Sequence, residues 1–516
     1  MKSILPPLDR GGNTPLYIQL YAYIKEAVTA RRLAPGEKLP SLRFLARELS
    51  VSITTVEQAY SQLAVEGYIE SRPQSGYYVS DAVLSESKGA NLAAYKGLED
   101  TVLVTTEEAT SSPLSLEQPP CARGDIDSFS MWDSDSPFMT EPLHLAAASN
   151  PSAPPAASAP MLYDPTGFNF VKWKKCVAEV YNTMPEQLLF ESEPRGEAPL
   201  RREIARYVYE ARGVRCRPDQ VFIAAGTQLI TTHLCRLLGE YGISNVATES
   251  PGYEPVRRIF SDRGFAISPI PVKADGIAIE KLPANLPAAC YVNPSNQFPT
   301  GAVMPIGRRR ELLAWAAQNG SYIIEDDYDS ELRYFGNPIP AMQGLDQAGR
   351  VIYLGSFSST LFPAAKISYM ILPDAMATDY YTTLIEYSQS CSKAEQLALA
   401  LFMQKGYYRK GIAKLRRLYS AKLAAANKTF GEHQGLRVIN TNSGINLLLE
   451  IVESEILPDK KSSPLAAPFV AAARELGIGA FAIPREDVAM VGIYYTRIPL
   501  EDIPYLLTRL CRAWGL

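Results

Sequence analysis

The feature that most constrains the fold is a rhythm beginning near residue 165, where short apolar runs alternate with helical stretches and several runs end in residues that carry chemistry. Such alternation marks an α/β sheet with helices on its faces. Ligands in open α/β folds sit at the carboxyl ends of strands, so the residues that follow each run are the candidates for a site. VFIAAGTQLITTHLCRLLGEYG predicts a strand over 221–225, Gly226 at the turn, and a helix opening on Thr227 and Gln228. A helix start of this kind favours an anion through its backbone N–H groups and its dipole. ESPGY sets Tyr253 near another strand end, and YVNPSNQFPTG (291–301) carries Asn296 in a Pro- and Asn-rich turn. In YIIEDDYDSELRY the apolar run 322–324 ends in Glu325, Asp326, Asp327 and Asp329, with Tyr328 among them. Taken alone, that acidic run also reads as a solvated loop or a divalent-metal site. The fourth unit, GSFSSTLFPAAKISYMILP (355–373), contains Ser356, Ser358, Ser359 and Lys366.

The first eighty residues have a different period. PLYIQLYAYIKEAVTAR (15–31) aligns Leu16, Leu20, Ile24, Ala27 and Val28 on one helical face, with Pro15 suited to the first turn. SLRFLAREL offers Ser41 as a cap and turns Leu42, Leu45 and Leu49 one way. After SVS, ITTVEQAYSQLAVEG places Val56, Ala59, Tyr60 and Leu63 inward and ends on Gly67. YIESRPQSGYYV then reads as a two-stranded wing, with Pro73 and Gly76 in its turn. A small structural bundle would share this periodicity, but the polar residues favour DNA. Ser52, Thr54 and Thr55 are small hydroxyls that can enter a major groove, and Gln58 can reach base edges. Arg43, Arg47 and Arg72 surround that helix as phosphate or wing-side contacts.

With 516 residues and 47% hydrophobic content, the chain needs more than one core. Its net charge of −4 excludes a globally basic nucleic-acid binder while leaving room for a local one. No apolar run approaches a membrane span or a secretory signal, which points to the cytoplasm. The seven cysteines are scattered without a CxxC pair, as free thiols would be, and the three histidines lack the spacing of zinc ligands. We read residues 10–80 as the DNA-binding domain, 81–120 as a linker rich in Ser, Ala, Glu and Thr, and 121–516 as the large domain. The latter includes a low-complexity insert, LAAASNPSAPPAASAP, at 145–160.

KLPSLRFLARELSVSITTVEQAYSQLAVEGYIESRPQSGYYV resembles the winged helix-turn-helix of the GntR family of bacterial transcription factors, departing at Ile53, where arginine is frequent. The four strand-end units, in register behind it, resemble a fold-type I pyridoxal-phosphate aminotransferase. The whole chain is therefore similar to the MocR subfamily of GntR regulators. The fold class this implies is an N-terminal winged helix-turn-helix, α with a small β wing, joined by a linker to an α/β fold-type I aminotransferase-like domain. The resemblance further implies that Asp326 pairs with the pyridine nitrogen of pyridoxal 5'-phosphate, Tyr328 bonds its phenolic oxygen and Tyr253 stacks on its ring. It sets Asn296 on the cofactor's oxygen side and Thr227, Gln228, Ser356 and Ser358 near its phosphate.

Such sites read SFSK, with an arginine seven residues on; here Ser359 stands at the lysine position and Lys366 at the arginine position. Serine forms no imine and is far too weak a base for transamination, so no catalytic residue is assigned. Lys366 is more simply a point charge for the phosphate than a relocated imine lysine. Pro255 and Met490 occupy positions where arginines would clamp a substrate carboxylate. The expectation is a cytoplasmic DNA-binding regulator with a double-stranded DNA operator and a small-molecule effector. The effector would be pyridoxal or pyridoxamine phosphate, held non-covalently, or another anionic aromatic molecule. The resemblance also implies a domain-swapped homodimer. The alternatives are a working pyridoxal-phosphate enzyme fused to a DNA-binding head, or a large domain that only dimerises the heads.

Overall fold

The computed structural model describes residues 7–9, 16–72, 75–80 and 164–516, apart from 285, 335–338, 385–386, 440–443, 453, 455–464, 484 and 486–487. Pro15, Pro73, the 81–120 linker and the 145–160 insert lie outside these residues. In the N-terminal head, α1 (Leu16–Thr29), α2 (Leu42–Glu48) and α3 (Ile53–Val65) converge on one core. Leu20, Ile24, Leu45, Val56, Ala59, Tyr60 and Leu63 are buried together there, as the periodicity predicts. Ser41 accepts the Phe44 N–H and caps α2. The wing is an antiparallel hairpin of β1 (Ile69–Arg72) and β2 (Gly76–Val79).

The body opens with α4 (Phe170–Thr183), α5 (Ala198–Arg212), β3 (Val221–Ala224), α6 (Thr227–Glu240), β4 (Asn245–Ser250), α7 (Glu254–Asp262), β5 (Ala266–Lys273) and β6 (Gly276–Ile277). It continues with β7 (Ala289–Val292), α8 (Ile306–Gln318), β8 (Tyr322–Asp327), β9 (Val351–Ser356) and β10 (Ser368–Ile371). These strands form an eight-stranded sheet in the order β3-β10-β9-β8-β7-β4-β5-β6. Neighbours from β9 through β5 are parallel, and β10 runs antiparallel to both β9 and β3. Ser368, at the start of β10, therefore lies opposite Ser356 and Ala224, at the ends of β9 and β3. One edge of the sheet thus gathers the ends of β3, β4, β7, β8 and β9 with the start of β10. Helices cover both faces, which is why the central strands are almost wholly apolar. Ile230 and Leu234 of α6 and Phe260 of α7 pack with Ile324 and Leu354, whereas Leu312 and Ala316 of α8 pack with Ile323 and Val351.

After α9 (Asp374–Leu384) and α10 (Lys393–Gln404), the long α11 (Tyr407–Gly431) leads into a smaller unit. It comprises β11 (Leu436–Val438), β12 (Leu447–Ile451), α12 (Ala467–Glu475), β13 (Ala480–Ile483), β14 (Ala489–Ile493) and α13 (Ile503–Ala513). Its four strands are antiparallel in the order β11-β12-β14-β13, over a core that includes Leu423, Phe430, Phe469, Leu507 and Trp514.

The acidic run after residue 324 is neither a solvated loop nor a metal site. β8 continues through Asp327, and Glu325, Asp326 and Asp327 are all buried. Each is held by a partner that sequence spacing does not display. Glu325 accepts the backbone N–H groups of Met342 at 2.9 Å and Gln343 at 3.0 Å, and Asp327 pairs with Arg212 at 2.7 Å. Among the described residues no acidic or His/Cys cluster is arranged to hold a metal ion.

Among the described residues, head and body meet where α8 begins. Ile306, the first residue of α8, is buried in the head's core, and its N–H donates to the Glu66 carbonyl at 3.0 Å. The Glu66 carboxylate is in turn bonded by the Tyr21 hydroxyl at 2.7 Å and Lys25 at 3.2 Å. Gly67 turns the chain away with φ +77, and a Cβ placed there would lie 2.8 Å from Pro305 Cβ. Gly67→Ala should therefore cost about 1–3 kcal/mol, combining left-handed strain with overpacking. Hydrogen exchange is the check: the Ile306 amide should lose protection while the β8 amides keep theirs.

Candidate functional site

The sheet edge brings several predicted residues together. At its β3 side, Gly226 has φ +92 and serves as the N-cap of α6, so the helix starts on Thr227 and Gln228 with unsatisfied N–H groups. Thr227 is half-buried and Gln228 exposed. Lys366 is also here, with its Cδ 3.9 Å from the point where a Cβ on Gly226 would sit. Its backbone is left-handed at φ 48, a conformation that non-glycine residues adopt at some energetic cost. The Ser356 hydroxyl accepts from the Ser368 hydroxyl at 3.0 Å and donates to the Ser358 hydroxyl at 3.3 Å, and Ser359 follows, half-buried, in the turn after β9. A glycine-capped helix start beside a lysine is the cradle that a phosphate needs.

At the end of β8, Asp326 is buried and accepts the Tyr291 hydroxyl, while the Asn293 amide donates to the Asp326 carbonyl at 2.9 Å. Burial pushes its carboxyl up to about 6. Ionisation there is favoured by a cationic partner, such as a protonated ring nitrogen. Tyr328 is half-buried, with its phenol held well above the ordinary range by burial. The Asn296 amide is engaged by Asp329 at 3.0 Å and lies 3.5 Å from the Tyr328 hydroxyl. Asn296 thus orients the loop beside Tyr328.

Tyr253 is 38% exposed and meets the Phe298 ring edge-on at 5.9 Å. It borders a cavity of ≈ 810 Å³ above β7, β4 and β5, closed on the far side by β13, Arg485 and Tyr494. Several of its residues escape sequence reasoning: Thr248, Glu249, Tyr291, Phe298, Phe481, Arg485 and Tyr494. The two positions read as vacated arginines find local explanations. Pro255 occupies the first turn of α7, where proline is favoured, and Met490 packs with Leu448, Ile483 and Phe481.

In the head, Arg43, Arg47, Ser52, Thr54, Gln58 and Arg72 are exposed and Thr55 is half-buried. Ser52 caps α3, accepting the Thr55 N–H at 3.0 Å, and the two hydroxyls are 2.8 Å apart. The groups left outward at the start of α3 are Ile53, 49% exposed, with Thr54 and Gln58. Arg72 pairs with Glu70 and lies over the Tyr78 ring at 4.4 Å, whereas Arg47 is 3.5 Å from Glu48.

A winged helix-turn-helix ahead of an aminotransferase-type sheet defines a class of DNA-binding regulator, and comparison with known proteins bears this out. Residues 16–79 match the family described as bacterial regulatory proteins, gntR family, and residues 164–467 match aminotransferase class I and II. The chain is 39% identical to the uncharacterised HTH-type transcriptional regulator YdeL of Bacillus subtilis, over 87% of this chain and 86% of that one. It is 31% identical to the probable rhizopine catabolism regulatory protein MocR of Rhizobium meliloti, over 80% and 77% of the two chains. With the pyridoxine biosynthesis regulator PdxR of Corynebacterium glutamicum it shares 30% identity over 84% and 83%. Among solved structures, the kynurenine aminotransferase of Pyrococcus horikoshii matches with TM-score 0.59 and 22% identity, over 69% of this chain and 89% of that one. The chain belongs to the MocR subfamily of GntR-type HTH regulators, with a fold-type I aminotransferase domain. No helix among the described residues is long and apolar enough to cross a membrane.

For a phosphate contact from α2, Arg43→Ala should weaken DNA binding and lower the slope of log affinity against log salt by about 1. The body should unfold at an unchanged temperature. Unchanged affinity and slope would remove Arg43 from the interface.

Proposed function

We propose that this protein is a cytoplasmic transcription regulator whose aminotransferase-like domain senses a small ligand without turning it over. Pyridoxal or pyridoxamine phosphate, held non-covalently, is the first candidate. The carrying observation is that the sheet edge keeps the parts that would bind the cofactor, while Ser359 stands where a lysine would attach it. Lys366, the α6 start and the Ser356–Ser358 hydroxyls suit the phosphate; Asp326 suits a protonated ring nitrogen; Tyr328 and Tyr253 suit the phenolic oxygen and the ring. When bound to a lysine, this cofactor supplies an electron sink for carbanion chemistry. Ser359 offers neither the attachment nor a base of useful strength.

The structure also supports a route from ligand to DNA. The loop between β7 and α8 touches Asp326 through Asn293, contributes Phe298 to the cavity, and ends at Ile306 in the head's core. A ligand that shifts this loop shifts the docking of α3, provided it binds the two arrangements unequally. The connection between residues 80 and 164 is long enough for the head of one copy to dock on the body of another, as a domain-swapped homodimer requires. Dimeric heads would then read repeated half-sites on an operator.

Titration with pyridoxal phosphate followed by borohydride reduction and intact mass tests the reading. Saturable binding with no covalent adduct is expected, and Ser359→Lys should gain an adduct of one cofactor per chain. An adduct on the unaltered protein, mapped to Lys366, would favour the fused-enzyme alternative. Absence of binding would favour a domain that only dimerises the heads.

A further inference from the structure

Among the described residues of the head, two large apolar side chains are left exposed, Phe44 at 39% and Ile53 at 49%. Phe44, on α2, is covered by the Arg47 guanidinium, 5.5 Å from its ring centroid. Ile53 belongs to neither the core of the head nor the partly buried residues packed around it. It is the first residue of α3 and stands seven residues before Tyr60, which is fully buried. Helical periodicity would turn Ile53 inward with Tyr60, but the core ends short of the first turn and the side chain meets solvent.

The neighbours of Ile53 suit a nucleic acid. The first turn of α3 contains no acidic residue that would repel a phosphate backbone, and Arg43 and Arg47 stand exposed on α2. Ser52 accepts the Thr55 N–H at 3.0 Å and their hydroxyls are 2.8 Å apart, so the helix cap engages two of the hydroxyls that the sequence offers to a groove. The exposed side chains that continue from Ile53 along α3 are Thr54, Glu57, Gln58 and Ser61. All four have hydrogen-bonding groups of the kind that read base edges. Ile53 alone has neither donor nor acceptor.

An aliphatic side chain in a major groove has one favourable partner. The base edges there present ring nitrogens, carbonyl oxygens and amino groups, all polar, and a single apolar group, the thymine 5-methyl. Pressing Ile53 against a polar edge would strip that edge of water without replacing the hydrogen bond, which disfavours the other bases. The branched Cβ is stiff in a helix, so the methyl groups of Ile53 are held in a fixed direction.

We propose that Ile53 sets a thymine in the DNA site of this protein, packing its side chain on the 5-methyl group of that base in the major groove. The inference rests on the DNA-binding reading of the head and narrows it to one base contact. A duplex enriched by the full chain from a random pool supplies the site, and each of its thymines is then replaced singly by deoxyuridine, which removes only the methyl. A loss of affinity of about three- to fivefold, the worth of one buried methyl, is expected at one thymine in each copy of the enriched motif. Ile53→Ala should weaken the intact duplex by a similar factor, and deoxyuridine at that position should then cost less than about 1.5-fold more, because both changes remove the same contact. Ile53→Val, which keeps a branched apolar side chain, should bind within about twofold of the unaltered protein. Selection with Ile53→Arg should enrich guanine at the same position. The deoxyuridine scan uses the unaltered protein, so its outcome does not depend on whether a variant folds. Deoxyuridine tolerated at every thymine, or the same methyl dependence persisting in Ile53→Ala, would overturn the contact and leave the head a DNA-binding module. Failure to enrich any duplex would overturn the DNA-binding reading and the contact with it.

Discussion

The Arg309 guanidinium has no solvent exposure, yet it is bonded on every nitrogen: Nε to the Met304 carbonyl at 2.8 Å, Nη1 to Pro340 at 2.7 Å and Nη2 to Pro294 at 2.8 Å. Burial pulls its pKa down to about 10, against the opposing pull of Glu325. A buried cation left unpaired costs several kcal/mol, so these carbonyls must stay where they are for the charge to be tolerated. The segment from Pro294 to Ile306 is thereby held as one piece. That piece carries Asn296 beside Tyr328, Phe298 in the cavity wall and Ile306 in the core of the head. The loop beside Tyr328 and the docking of the head depend on the same buried ion.

The function proposed above separates binding from chemistry at the sheet edge. Transamination needs an amine that both attaches the cofactor and moves a proton, and Ser359 does neither. What remains is an anion cradle at Gly226 and an acid, Asp326, whose burial makes it responsive to a cationic partner. Lys366 keeps a strained left-handed backbone at φ 48 beside that cradle. Such strain persists where surrounding structure or function demands it, and the phosphate contact proposed for Lys366 would be such a demand. In the proposed function, such a site would respond to occupancy, the property a regulator uses.

Much of this was legible in the sequence, and for local reasons. The head's three helices and wing follow from spacing, the Ser41 cap and the turn glycines, because their contacts are short-range. The placement of Thr227, Asp326 and Ser356 along one sheet edge was readable because apolar runs announce strands and these residues follow or end them. The acidic end of β8 was harder: its partners, Arg212 and the Met342 and Gln343 amides, come from distant segments, so Glu325 and Asp327 look like loop residues until the fold is assembled. The aromatic side of the cavity was invisible for the same reason, since Tyr253, Phe298, Phe481 and Tyr494 meet only when the smaller sheet closes over β4 and β7. Ile306 gave no sign of its role; in sequence it is an ordinary first residue of a helix.

The most direct test of ligand-to-DNA coupling is DNA affinity measured against pyridoxal-phosphate concentration, at fixed salt, on a duplex selected by the full chain from a random pool. Saturation should change the affinity by about fivefold or more, the size of ordinary coupling between sites, and Asp326→Ala should shift the response to higher ligand concentration. An affinity that stays flat while the same preparation demonstrably binds pyridoxal phosphate would contradict the account.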